Sequence, residues 1–293
     1  MKALVLSAYK ELELLDLPVP KPADDELLIR IRACGICGSD VHGYDGSTGR
    51  RLPPVVMGHE AAGIVESVGS AVEGFRQGDR VTFDSTVYCG KCFYCQRGQI
   101  NLCDNREVVG VSTPAFRRNG AFAEFVTVPA RIAYHLPEGM PFSHAALIEA
   151  VSVAVHGVSL TPIALDDTVV VVGAGMIGLL TLQAARLAGA GKVIVLDVDD
   201  TRLEMARSLG ASVTLNSRSA DTITNILEQT MGRGADAALE CVGISVTVKL
   251  AVDSVRKGGA VTLIGNVAPA IELGLQSVVT RQIRLHGSCA SSG

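Results

Sequence analysis

Four cysteines lie within fifteen residues of one another, Cys89, Cys92, Cys95 and Cys103, with the spacing C-x2-C-x2-C-x7-C. Thiolates held that close repel one another and call for a cation, and tetrahedral zinc satisfies four sulfurs at once. With every coordination position filled by protein, such a site staples its loop and does no chemistry. Free core thiols and an iron–sulfur cluster use similar residues, but the spacing favours structural zinc over both. A second metal-prone group lies upstream: Cys37-Gly-Ser39-Asp40-Val-His42, followed about twenty residues later by Gly58-His59-Glu60. Thiolate, imidazole and carboxylate make a mixed set that suits zinc with one position open, hence a candidate catalytic site. Each fragment alone is weak evidence, because a lone histidine is more often a core or surface residue and cysteine is often simply buried.

Glycines make the third pattern. An apolar strand, Val169–Val172, runs into Gly173-Ala-Gly175-Met176-Ile177-Gly178 and then an apolar helix, the context a dinucleotide-binding turn requires. Gly173 permits the tight turn, Gly175 the close approach of a pyrophosphate, and Gly178 helix–strand packing. Met176 and Ile177 open the helix, where free N–H groups favour an anion. Asp197 ends the next strand, nineteen residues after Gly178. A carboxylate there accepts the adenosine ribose hydroxyls and repels a 2′-phosphate, so NAD is expected over NADP. Asp199 and Asp200 strengthen that expectation. Arg202 softens it, lying beside the adenine or solvating the helix start. Glu240-Cys241-Val242-Gly243 and Leu263-Ile264-Gly265-Asn266 end two further strands, so Val242 and Ile264 are expected on the nicotinamide side. Cys241 and Cys34 read as buried thiols.

Two kinds of scaffold must position these residues. The first half reads as short strands punctuated by glycine and proline: Glu26–Ala33, Ala61–Val68, Arg80–Phe83 and Ala123–Val128. From Thr168 the pattern alternates strand and helix: Val169–Val172, Met176–Ala188, Lys192–Asp197, Thr201–Leu209, Ala235–Cys241, Val246–Val255, Ala260–Gly265 and Ile283–His286. That alternation predicts an α/β fold with a doubly wound parallel sheet. The domains are expected at 1–153 and 154–293.

Composition agrees with a large-cored enzyme. The 293 residues are 48% hydrophobic and 19% charged with 31 glycines, which excludes disordered and fibrous classes. A net charge of −4 with no Lys/Arg cluster points away from nucleic acid and anionic membranes. Met1–Leu6 reads as a strand rather than a secretion signal. Val169–Ala185 approaches membrane-spanning length, but its glycines, Thr181 and Gln183 fit a strand–turn–helix better. A soluble, cytoplasmic protein is expected. Five Tyr, seven Phe and no Trp argue against a large hydrophobic substrate pocket.

In order, Cys37-Gly-Ser-Asp-Val-His42, Gly58-His59-Glu60-Ala-Ala-Gly63, the four-cysteine loop and the glycine fingerprint resemble the zinc-containing medium-chain dehydrogenases. The likeness is greatest to the branch with sorbitol, threonine and butanediol dehydrogenases, and covers essentially the whole chain. It implies a GroES-like, mainly β catalytic domain over 1–153, a Rossmann NAD-binding domain over 154–293, and two zinc ions per chain. By position it makes Cys37, His59 and Glu60 catalytic zinc ligands. Glu149 stands where classical alcohol dehydrogenases have a cysteine ligand, and ranks below those three. Ser39 would accept the substrate proton and His42 would pass it to solvent through the cofactor ribose; a surface histidine is the alternative for His42. Asp40 and Glu66 would orient ligands, although Glu66 reads equally as a solvated strand residue.

The implied reaction is reversible oxidation of a secondary alcohol or polyol by NAD. An L-threonine or other hydroxy amino acid dehydrogenase is the enzymatic alternative, and a non-catalytic NAD-binding protein the alternative from another class. A zinc-free quinone reductase would need neither Cys37, His59 nor the cysteine loop. The family likeness also suggests a homotetramer or dimer, with the second lobe's edge strand at an interface. In the family a further segment returns to the first domain after the last strand, and it is expected to be absent here because the sequence ends at Gly293 where that segment would begin.

Overall fold

Val169 to Val172 offers no polar residue to turn outward, so it suits only a strand covered on both faces. In the computed structural model, which describes residues 1–292, it belongs to the strand Thr168–Val172 at the heart of a six-stranded sheet. Its valines alternate between two cores. Val169 and Val171 pack with Leu182, Ala185, Leu203 and Ala206, whereas Val170 and Val172 pack with Ile226, Ala251 and Val252. Helices therefore cover both faces of the sheet.

The spatial order is Val213–Asn216, Lys192–Asp197, Thr168–Val172, Ala235–Glu240, Val255–Leu263 and Arg284–Gly287, and every neighbouring pair is parallel. In chain order that is third, second, first, fourth, fifth, sixth. The chain leaves the sheet centre in opposite directions on either side of the Thr168–Val172 and Ala235–Glu240 pair, the switch point at which such sheets bind ligands.

These strands belong to a compact unit, Ala150–Ser291, distinct from a first unit containing Met1–Glu149. The first unit is built on a five-stranded antiparallel sheet in the order Phe125–Pro129, Glu26–Cys34, Ala61–Val68, Arg80–Phe83 and Ala133–His135. Leu27, Ile29, Val65, Val81, Phe83 and Val128 fill its core. A smaller sheet joins Lys2–Ala8, Glu11–Asp16 and Val55–Val56. The run Phe142–Ser159 is long and apolar enough, by length and composition, to cross a membrane. It is nonetheless divided into helices Phe142–Ala145 and Ile148–Ser159, and carries His144, Glu149 and His156.

The first βαβ connection is unusually tight. The helix Met176–Leu187 starts so close to the preceding turn that a Cβ on Gly178 would stand 1.7 Å from the Gly173 carbonyl oxygen. That neighbour is backbone and cannot swing aside. Gly178→Ala is therefore expected to destabilise the second unit by about 1–3 kcal/mol, the usual range for overpacking, read as a lowered midpoint in urea denaturation.

Candidate active site and cofactor cradle

Cys37 caps the short helix Gly38–Tyr44, which presents Ser39, Asp40 and His42. The backbone N–H of Cys37 donates to Asp40 Oδ2 at 3.1 Å, fixing the helix start. His59 and Glu60 arrive from a separate direction, just before the strand Ala61–Val68. Their approach depends on Gly58, at φ +88°, where any side chain would strike the Phe122 ring. A Cβ on Gly35 would lie 2.4 Å from Glu60 Oε2, so the Cys34-Gly35-Ile36-Cys37 turn leaves room for that carboxylate.

Cys37, His59 and Glu60 thereby bring one ligand atom each within 4.8 Å of the others. Glu60 is fully buried, yet neither of its carboxylate oxygens has a hydrogen-bond donor. Burying a carboxylate without hydrogen-bond donors is strongly unfavourable. His59 Nδ1 faces Asp40 Oδ1 at 3.5 Å without a hydrogen bond to it. Burial opposes the charged form of His59, but Asp40 and Cys37 outweigh it and hold the imidazole pKa well above its ordinary value. Burial raises the Glu60 pKa, with His59 opposing it. An anion-rich, donor-poor pocket of soft and hard ligands fits a divalent cation such as zinc. Glu149 stands outside the three-residue group: its Oε1 accepts a hydrogen bond from Ser85 Oγ at 2.7 Å. Glu66 is turned elsewhere, in a surface ion pair with Arg30 at 2.8 Å.

Ser39 Oγ accepts a hydrogen bond at 3.1 Å from Arg51 Nη2, which also lies 3.5 Å from Asp40 Oδ1. Arg51 is only 4% exposed and its Nε has no partner. Nothing in the spacing of Arg50-Arg51 signals this buried role. Gly43 makes it sterically possible, since a Cβ there would stand 2.2 Å from Arg51 Cγ. His42, half-buried one turn after Ser39, has Nδ1 3.4 Å from Ser47 Oγ; no hydrogen bond joins it to Ser39 among the described residues. A largely apolar, open hollow of about 650 Å³ lies beside this helix, lined by Leu12, Leu14, Ile36, Val41 and Met57 among others.

The four-cysteine loop gathers its sulfurs within the same 4.8 Å limit. Cys103 Sγ accepts N–H bonds from Cys89 at 3.2 Å and Asn105 at 3.4 Å. The Lys91 backbone N–H draws the Cys89 thiol down to about 6, while burial and the crowding of Cys92 push Cys95 up to about 12. The sulfurs thus compete for negative charge in a way that one shared cation would relieve.

In the second unit, Gly175 caps the helix Met176–Leu187, and a Cβ there would meet nothing within 4 Å. The backbone is therefore open to a ligand beside the N–H groups of Met176, Ile177 and Gly178, a cradle that fits a pyrophosphate. Asp197 is 7% exposed at the end of its strand. Its Oδ2 accepts from Ala174 N at 2.6 Å and its Oδ1 from Asp199 N at 2.9 Å, so it braces the glycine turn. Arg202 is exposed at the start of the next helix. Val242 and Ile264 are half-buried in the loops after Ala235–Glu240 and Val255–Leu263.

Both regions have counterparts among known proteins. Residues 23–138 match the alcohol dehydrogenase GroES-like domain, and residues 177–292 match the zinc-binding dehydrogenase domain. A sorbitol dehydrogenase of Bacillus subtilis (strain 168) is 36% identical over 291 residues, covering 98% of this chain and 81% of that protein. The chain belongs to the zinc-binding dehydrogenase family. An L-threonine 3-dehydrogenase of Pyrococcus abyssi (strain GE5 / Orsay) is 38% identical over 86% of this chain and 72% of its own length. A crystal structure described as a zinc-binding dehydrogenase from Sinorhizobium meliloti 1021 bound to NADP superposes with a TM-score of 0.90. It is 36% identical and covers 99% of this chain and 84% of that one. As a zinc-binding dehydrogenase, the protein is an oxidoreductase with a GroES-like domain and a parallel-sheet nucleotide-binding domain.

Two outcomes follow. Because Gly175 faces open space with φ −69°, Gly175→Ala should keep the wild-type melting temperature while weakening NADH binding roughly tenfold or more, measured by titration of NADH fluorescence. Cys103→Ser should release one metal ion of two and lower thermal stability, with metal content read by plasma mass spectrometry.

Proposed function

We propose that this dehydrogenase oxidises a secondary alcohol of the polyol class with NAD, using Cys37, His59 and Glu60 to hold a catalytic zinc. The observation that carries the reading is the buried, donorless Glu60 carboxylate grouped with Cys37 and His59. Cys89, Cys92, Cys95 and Cys103 hold a second, structural zinc. When bound, the catalytic zinc supplies a Lewis acid for the alcohol oxygen and the nicotinamide supplies a hydride acceptor.

The chain's own groups manage the proton. Ser39 Oγ takes the proton leaving the alcohol while its own hydroxyl proton moves on toward His42, which passes it to solvent. Arg51, donating to Ser39 Oγ, occupies one lone pair and leaves the hydroxyl proton free to point along that path. Asp40 steadies this region by taking the Cys37 N–H and facing both His59 and Arg51. Glu149 serves as an outer carboxylate held by Ser85. In the second unit Gly173, Gly175, Gly178, Met176 and Ile177 seat the pyrophosphate, Asp197 the adenosine ribose, and Val242 and Ile264 the nicotinamide side.

NAD is favoured over NADP by the acid cluster Asp197, Asp199 and Asp200, in which Asp197 is nearly buried and fixed by two N–H donors. The exposed Arg202 and the NADP-bound relative make the opposite preference the outcome to exclude. L-Threonine is the second substrate reading, supported by the similarity to the Pyrococcus abyssi enzyme. We place the protein in the cytoplasm, where its clustered thiols stay reduced, as a homo-oligomer joined through the Arg284–Gly287 edge strand.

The test combines metal analysis with NADH and NADPH formation across sorbitol, xylitol, butanediol and L-threonine. Two zinc ions per chain, polyol turnover with NAD, and one zinc with no turnover in Cys37→Ala are expected. Turnover of threonine alone would replace the substrate; NAD binding without turnover of any alcohol, at full zinc content, would refute the catalytic assignment.

A further inference from the structure

The carboxylate of Glu240 has no role in the mechanism above, yet it is fully buried at the C-terminal end of the fourth strand in chain order, Ala235–Glu240. Its Oε1 accepts the backbone N–H groups of Val242 at 2.9 Å and Gly243 at 2.8 Å, and Oε2 accepts that of Gly243 at 3.0 Å. Its own carbonyl oxygen accepts N–H bonds from Ile264 at 2.8 Å and Gly265 at 2.9 Å. One residue thus ties down the loops that end two neighbouring parallel strands.

Those loops interlock. Gly243 has φ +88°, and a Cβ on it would lie 2.4 Å from Asn266 N. A Cβ on Gly265 would lie 2.3 Å from Gly243 N. Ala268 N donates to Gly243 O at 2.9 Å. The first loop also abuts the phosphate turn, because a Cβ on Gly173 would meet Val242 Cγ2 at 2.6 Å. Glu240 therefore sets where Val242 stands against the glycine turn and, through Gly243, where Ile264 stands beside it.

The strand order says which part of a dinucleotide this affects. The pyrophosphate sits at the end of Thr168–Val172, and Asp197 claims the adenosine half on one side. The other half must lie over the loops after Ala235–Glu240 and Val255–Leu263. We propose that Glu240 is a positioning residue for the nicotinamide half of the cofactor, acting through the Val242–Gly243 and Ile264–Gly265 backbone. The proposal rests on the cofactor reading above. A carboxylate suits the task because it only accepts hydrogen bonds. A glutamine would turn an NH2 group toward one of the same N–H donors, leaving a buried donor unmatched.

The test compares NADH, followed by its own fluorescence, with ADP-ribose, which lacks the nicotinamide, followed by calorimetry. Glu240→Gln should weaken NADH binding about tenfold, the scale of one unmatched buried donor, and leave ADP-ribose within about twofold. Val242→Ala, which removes only the methyl groups facing the glycine turn, should show a smaller loss with the same selectivity. Equal weakening of both ligands would reduce Glu240 to a general structural role and overturn the proposal, as would unchanged NADH binding. Should Glu240→Gln fail to fold, Glu240→Asp, which keeps the acceptor but draws it back from the Val242 and Gly243 N–H groups, decides: selective loss of NADH supports the proposal and wild-type NADH binding overturns it. A wild-type protein that binds neither ligand would remove the cofactor reading, and the proposal with it.

Discussion

A methyl group on Gly178 would stand 1.7 Å from the Gly173 oxygen, one on Gly265 2.3 Å from the Gly243 nitrogen, and one on Gly120 2.3 Å from the Gly58 oxygen. In each place two stretches of main chain cross with room for a hydrogen atom and nothing larger. The working residues of both units stand immediately beside such crossings. The first sets the helix whose N–H groups await a phosphate, the second joins two loops over the sheet, and the third aims His59 and Glu60. Where backbone meets backbone there is no flexible side chain to absorb a change, so these positions define the geometry rather than follow it.

The two metal-prone clusters reach their charge state by different means. Around Glu60 the protein withholds donors, so a buried carboxylate, a thiol and an imidazole share unmet demand for a cation. Around Cys103 it supplies them: backbone N–H groups of Cys89 and Asn105 donate to its sulfur before any metal arrives. A site prepared by donors suits permanent occupancy. A site left short of them keeps its chemistry dependent on what enters.

The sequence pattern is sharpest where residue type is restricted. The glycine turn, Asp197 and the two cysteine groupings stand out because a tight backbone turn and closely spaced thiols accept few substitutes. The valine run marked the central strand because both its faces are buried. The strand Val213–Asn216 carried no such mark: all four of its residues are only half-buried, so neither alternation nor an apolar run distinguishes it. The helices Thr222–Gln229 and Ile148–Ser159 were also passed over, the latter being rich in valine, which favours strands locally. Arg51 was illegible for another reason. Its partner, Ser39, lies twelve residues away and is brought in only by tertiary packing. Glu66, read as poised between ligand orientation and solvent, is placed on the surface by the neighbouring strand, whose Arg30 claims it.

The alternating valines of Thr168–Val172 leave that strand without an outside. On a half-exposed strand every second position tolerates drift, and a lineage can explore polar residues there one at a time. Here each parity feeds a different core, Val169 and Val171 one and Val170 and Val172 the other. None of its four valines faces solvent, and both faces lead to the glycine turn. The segment is thus a reading frame as much as a structural element: it can be rewritten only in concert with helices on two sides, and the cofactor turn inherits that immobility.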